Sequence, residues 1–142
     1  MQPKQMEQVI LGFDPGKDKC GLAVMGANGQ LYAHQVVPAA TAIDSIKNFC
    51  QQWPIAKLVM GNQTTSKSWH QKLSAELKSL PIVLVDERYT TLAARDRYWQ
   101  MYPPKGLQRF VPQGMRQPPR PVDDIVAILL IERYLEGRSS EV

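Results

Sequence analysis

Two rhythms of apolar positions run along this chain. Residues 9–13, 20–25, 31–37, 58–61 and 82–85 are short, mostly apolar runs bounded by turn residues, the pattern of strands. Asp14, Pro15 and Gly16 stop the first run. Asn28-Gly29 separates the second from the third, which predicts a hairpin because both residues tolerate positive φ. Other segments repeat at helical spacing. Ile43, Ile46, Phe49, Cys50 and Trp53 form one apolar stripe ended by Pro54, with Thr41 and Asp44 spaced like a capping box. Trp69, Leu73, Leu77 and Leu80 mark a second helix, closed by Pro81. Thr90-Thr91 predicts the start of a third, running to about Trp99. Residues 125–131 are apolar all round. They predict a deeply buried last helix with Pro121 in its first turn.

The order is strand, strand, strand, helix, strand, helix, strand, helix, helix. A hairpin-joined start followed by βαβ crossovers predicts an α/β fold, a five-stranded mixed sheet with helices on both faces. The length of 142 residues suits a single domain over 1–142. No apolar run is long enough to span a membrane. The first eight residues are polar and lack a signal core, so a cytoplasmic location is expected. Cys20 and Cys50 have no zinc-like spacing and are expected to be reduced thiols.

Charge sharpens the picture. Residues 95–120 hold Arg95, Arg97, Lys105, Arg109, Arg116 and Arg120 against Asp96 alone, so the whole net charge of +4 is concentrated there. A local basic surface points to a polyanionic partner. The same stretch contains a proline-rich loop from Tyr102 to Arg120, with Phe110 among its basic residues and Trp99 just before it. Basic side chains can hold phosphates while aromatics stack on unpaired bases. This loop is therefore expected to hold substrate.

Carboxylates stand at the ends of three apolar elements: Asp14, the pair Asp86-Glu87, and the pair Asp123-Asp124. Ligand sites in open α/β sheets lie beyond the carboxyl ends of the strands, where these acids could meet. Each could also be a turn or helix-start residue. Several half-buried carboxylates repel one another unless something neutralises them. A hard divalent cation does so, and it supports in-line phosphodiester hydrolysis without histidine. His34 and His70 lie in no clear ligand spacing and read as ordinary surface or edge residues.

The sequence resembles the YqgF family of RNase H-like proteins over nearly its whole length. The resemblance rests on Gly12-Phe13-Asp14-Pro15-Gly16 with Gly21-Leu22-Ala23-Val24, on Leu58-Val59-Met60-Gly61, on Asp86-Glu87-Arg88-Tyr89-Thr90-Thr91 with Ala94-Arg95, and on Val122-Asp123 before the last helix. Asp14-Pro15-Gly16 is closer to the related RuvC resolvases, which carry an acid after the fourth strand where this chain has Gly61-Asn62. The resemblance implies an RNase H-like fold and a metal-dependent nuclease, acting in 5′-end maturation of pre-16S rRNA or on Holliday-junction-like DNA. It implies that Asp14, Glu87 and Asp123 are the catalytic acids and hold Mg²⁺ or Mn²⁺; Asp124, an extra carboxylate beside the expected one, reads as a helix-start residue, with a second ligand as the alternative.

The expected nucleic-acid contacts are Lys17, Lys19, Arg88, Arg95, Lys105, Arg109, Arg116 and Arg120. RNA and branched DNA are both open as partners, as are monomer and homodimer. Two rival readings exist. One is an inactive RNase H-like module that recruits another nuclease. The other, an actin-like nucleotide-binding domain, expects a duplicated domain for which 142 residues leave no room.

Overall fold

The computed structural model describes residues 8–63 and 65–137, and the backbone of 139–141. The first seven residues, on which most of the signal-peptide reading rests, lie outside the described residues. The five expected strands are β1 (Val9–Asp14), β2 (Lys19–Gly26), β3 (Leu31–Pro38), β4 (Ile55–Gly61) and β5 (Ile82–Val85). A short sixth, β6 (Ser139–Glu141), adds an antiparallel edge to β5. The sheet order is β3-β2-β1-β4-β5-β6. The strands β1 to β3 form an antiparallel meander, and β1, β4 and β5 run parallel.

The helices are α1 (Ala42–Gln52), α2 (Ser66–Glu76), α3 (Thr90–Met101) and α4 (Asp123–Leu135). They cover both faces of the sheet. Side chains alternate across a strand, and β1 shows it: Val9, Leu11 and Phe13 join the core with α1 and α2, while Ile10 joins the core with α3 and α4. Residues 125–131 of α4 are all buried, as their unbroken apolarity implies, and Asp124 before them is buried as well. No helix among the described residues is long and apolar enough to cross a membrane.

Two glycines let α4 lie against the sheet. A Cβ on Gly12 would collide with the Ala127 carbonyl, and one on Gly21 with the Asp123 carbonyl. Glycine inside a strand often marks such a close backbone approach. Gly21 is also the register partner of Asp14, so the first turn of α4 is held beside the end of β1.

Local signals were read less well. Thr41 caps nothing: its hydroxyl bonds back to the Pro38 carbonyl, and a 3-10 turn (Ala39–Thr41) leads into α1. The second helix ends at Glu76, short of Pro81. Pro121 stands just before α4 instead of in its first turn. The Asn28-Gly29 hairpin is as expected, with Gly29 at φ 89° and the Asn28 side chain accepting from Gln30 N–H.

Candidate active site

Because β1, β4 and β5 are parallel neighbours, their carboxyl ends open on one edge of the sheet. Asp14 is the last residue of β1 and Glu87 lies two residues past β5. Asp123 opens α4. Glu87 is turned back over the end of β4, where its Oε1 accepts the Gln63 N–H at 2.9 Å. It fills the space a side chain at position 61 would need, since a Cβ on Gly61 would collide with its carboxylate. The turn after Glu87 is tight. Tyr89 adopts a left-handed backbone at φ 64°, and Thr90 returns both its N–H and its hydroxyl to the Glu87 carbonyl.

These carboxylates act on one another. Burial, with the charges of Asp123 and Glu87 added to it, pushes the Asp14 carboxyl up to about 7. Burial also raises Glu87, against the pull of the Gln63 N–H. Asp123 is raised by burial and by Asp124, and Lys19 partly offsets this. Among the described residues, neither Asp14 nor Asp123 has a side-chain hydrogen bond or an ion pair. An all-oxygen set of unpaired, mutually repelling carboxylates fits a hard divalent cation by chemistry and by charge. As the side chains stand, no three His, Cys, Asp or Glu groups among the described residues are gathered closely enough to hold an ion.

The expected companions of this corner divide. Arg88 does not face Glu87; it is exposed and makes a bidentate pair with Asp86 at 3.0–3.2 Å. Asp86 is thereby held below the usual carboxylate range. Lys17 and Lys19 are exposed on the β1–β2 turn beside Asp14, and Arg95, Lys105 and Arg109 are exposed farther along the chain. Arg97, counted in the basic run, is taken by Glu132 in a two-pronged pair between α3 and α4. Arg116 folds back onto the Gln108 and Val111 carbonyls and lies over Trp99, bracing its own loop. Trp99 is buried, 7% exposed, so it cannot stack on a base as expected; Phe110, 76% exposed, can.

His34 and Asp124 also differ from expectation. Asp124 does start a helix, but it is only 3% exposed and bridges a histidine and an arginine. His34 Nδ1 lies 2.6 Å from its Oδ2, and Arg120 Nη1 donates to its Oδ1 at 3.0 Å. His34 is on the edge strand, yet it is not an ordinary surface residue. Nothing local could pair residues ninety positions apart. The spacing of Arg120 and Asp124, four residues apart, was a readable hint. So were Gly21 and Gly61, isolated glycines in apolar strands.

Known proteins resemble this chain in sequence and in fold. A candidate pre-16S rRNA nuclease of Coxiella burnetii is 26% identical, over 94% of this chain and 96% of its own length. One of Porphyromonas gingivalis is 25% identical, over 90% and 96%. Among solved structures, Thermus thermophilus RuvC in complex with a Holliday junction substrate matches with a TM-score of 0.59 at 16% identity, over 95% of this chain and 99% of that one. That likeness shows the RNase H-like fold. The model of the RuvX family, described as Holliday junction resolvase, matches residues 8–137, and the chain belongs to that family.

Proposed function

We propose that this protein is a nuclease that hydrolyses phosphodiester bonds with Asp14, Glu87 and Asp123 around a divalent cation, Mg²⁺ or Mn²⁺. The observation that carries this reading is a half-buried Asp14, raised to about 7 by burial and by the charges of Asp123 and Glu87, that among the described residues has no side-chain hydrogen bond or ion pair. Perturbed carboxylates of this kind concentrate at functional sites. A cation held there supplies an activated water and neutralises charge on the phosphate. The chain's own groups do the rest. Gln63 N–H aims one Glu87 oxygen, Gly21 lets the first turn of α4 bring Asp123 to the end of β1, and Lys19 lies where it is felt by Asp123. Lys17 and Lys19 flank the corner and suit phosphate contacts, while Lys105, Arg109 and Phe110 suit a strand approaching over the loop.

The substrate we favour is the precursor of small-subunit ribosomal RNA, because relatives matched over nearly their full length carry that name. A second reading, a branched DNA junction, is favoured by the family description. One chain carries one acidic corner, so symmetric cutting of a junction calls for a homodimer and RNA trimming does not. A cytoplasmic location follows from either substrate in a cell without compartments. The inactive recruiting module is disfavoured, since it gives no reason to keep unpaired carboxylates.

The test is cleavage of a labelled precursor rRNA fragment, single-stranded RNA and a four-way DNA junction, with Mg²⁺, Mn²⁺ or chelator. An Asp14→Asn, Glu87→Gln double variant is the control. Metal-dependent cleavage that the double variant lacks is the expected result, and the preferred substrate decides between the two readings. Tight binding with no cleavage of any substrate would overturn the nuclease.

A further inference from the structure

A cavity of about 580 Å³ lies between β3 and the turn before α4, and Lys19 belongs to its wall. Val36, Val37 and Pro121 give it apolar sides, and Lys19, His34 and Arg120 bring nitrogen donors to it. The size and the mix of apolar wall with few polar groups are those of a small-molecule site. The cavity adjoins the acidic corner, because its wall includes Asp124, the chain neighbour of Asp123, whose carbonyl lies against Gly21, the register partner of Asp14.

Its polar groups are fixed in place. Arg120 is held by Asp124 at 3.0 Å, donates to the Pro121 carbonyl at 2.7 Å, and lies 5.4 and 5.6 Å from the ring centres of Tyr98 and Tyr102. Asp124 is buried beneath and is itself held by His34. A buried carboxylate held by a guanidinium and a histidine is a costly way to join a helix to a strand, which apolar residues do as well. Here both of its partners line the same cavity. A guanidinium with its orientation set in advance still has free N–H groups for a phosphate. Asp18 is the one exposed acid in the lining.

We infer that this cavity is a nucleotide subsite beside the acidic corner. It takes one nucleotide of the substrate strand, with sugar and base against Val36, Val37 and Pro121 and phosphate between Lys19 and Arg120. His34 and Asp124 are positioning residues that aim Arg120. The inference rests on the nucleic-acid reading above and assigns a place on the protein to the strand next to the cut.

The test reads binding without cleavage. Short labelled single-stranded RNA and DNA oligonucleotides are titrated in chelator into protein carrying Asp14→Asn, and fluorescence anisotropy gives the affinity. Val36→Trp fills the cavity without touching the acids. His34→Ala releases Asp124, and His34→Gln keeps an N–H donor toward it. Val36→Trp and His34→Ala are each expected to weaken binding about tenfold, the scale of one lost charge-assisted contact. His34→Gln is expected to recover most of the loss, which a mere loss of packing would not show. If His34→Ala does not fold, Val36→Trp carries the test alone. Wild-type affinity in Val36→Trp overturns the subsite and leaves the nuclease standing. No binding of either oligonucleotide to the parent protein would also overturn the subsite, while the cleavage assay above decides the nuclease separately.

Discussion

Asp123 and Asp124 are neighbours on the first turn of one helix, yet they live in opposite electrostatic regions. Asp124 is the more buried of the two and has a His34 nitrogen, the Arg120 guanidinium and the N–H of Ile125 around its oxygens. Asp123 has no such partner among the described residues, and its charge acts on Asp14. The difference shows that burial alone does not identify a functional carboxylate. A buried charge with its partners in place is a structural joint. A buried charge without them is a cost borne by the folded state, and it marks where an ion or a substrate is expected.

The largest break in this comparison comes from neutralising the unpaired side. Asp14→Asn is expected to lower metal-dependent cleavage by at least about 10³-fold, the scale of losing a central electrostatic group, measured under single turnover. The same substitution should stabilise the metal-free protein at alkaline pH. Asp14 binds its proton more tightly in the folded state, at about 7, than in the unfolded chain. Its contribution to stability is therefore fully present below about pH 4 and is lost as the pH rises through 7. Three pKa units set a ceiling of about 4 kcal/mol on that loss. Denaturant unfolding in chelator between pH 4 and 8 should show the fall in wild type and a smaller one in Asp14→Asn. If the two proteins fall together, Asp14 is not the strained group. A divalent cation should restore wild-type stability at high pH by binding the ionised form.

Breaking the paired side should act on stability first. Asp124→Ala strands His34 and Arg120 and is expected to cost about 3 kcal/mol by denaturant titration. A loss under 1 kcal/mol would mean that the joint is not structural. Gly61→Ala sharpens the contrast from a third position. Its Cβ displaces the Glu87 carboxylate, so cleavage should drop by about 10–100-fold, the range for disturbing the support of a ligand group, with far-UV circular dichroism unchanged. The smallest effect is expected at Arg88→Ala. Arg88 pairs with Asp86 in solvent, where such pairs contribute little. A large loss of cleavage there would return Arg88 to the active site.

The readable part of the site was the chemistry at the ends of apolar runs. Asp14, Glu87 and Asp123 each close or open an element whose apolarity is plain in the chain, so their convergence followed from parallel strands ending on one edge. The sixth strand was not readable, because a three-residue run at an edge has no periodicity to show. Thr41 illustrates another limit: its spacing to Asp44 matched a cap, but the 3-10 turn before α1 turned the hydroxyl elsewhere. Trp99 and Arg116 were read as partners for nucleic acid from composition alone, and the fold gave each a partner within the protein.

By itself, the sequence determined the mixed α/β sheet with helices on both faces and the three carboxylates at its edge, because apolar periodicity and turn chemistry are local properties of the chain. Only the tertiary structure decided which charges are paired. His34 meets Asp124 and Arg97 meets Glu132 because packing of α4 on the sheet, through bare glycines at 12 and 21, sets the distances between groups far apart in the chain. Coulomb and hydrogen-bond energies depend on those distances, and no spacing along the chain encodes them.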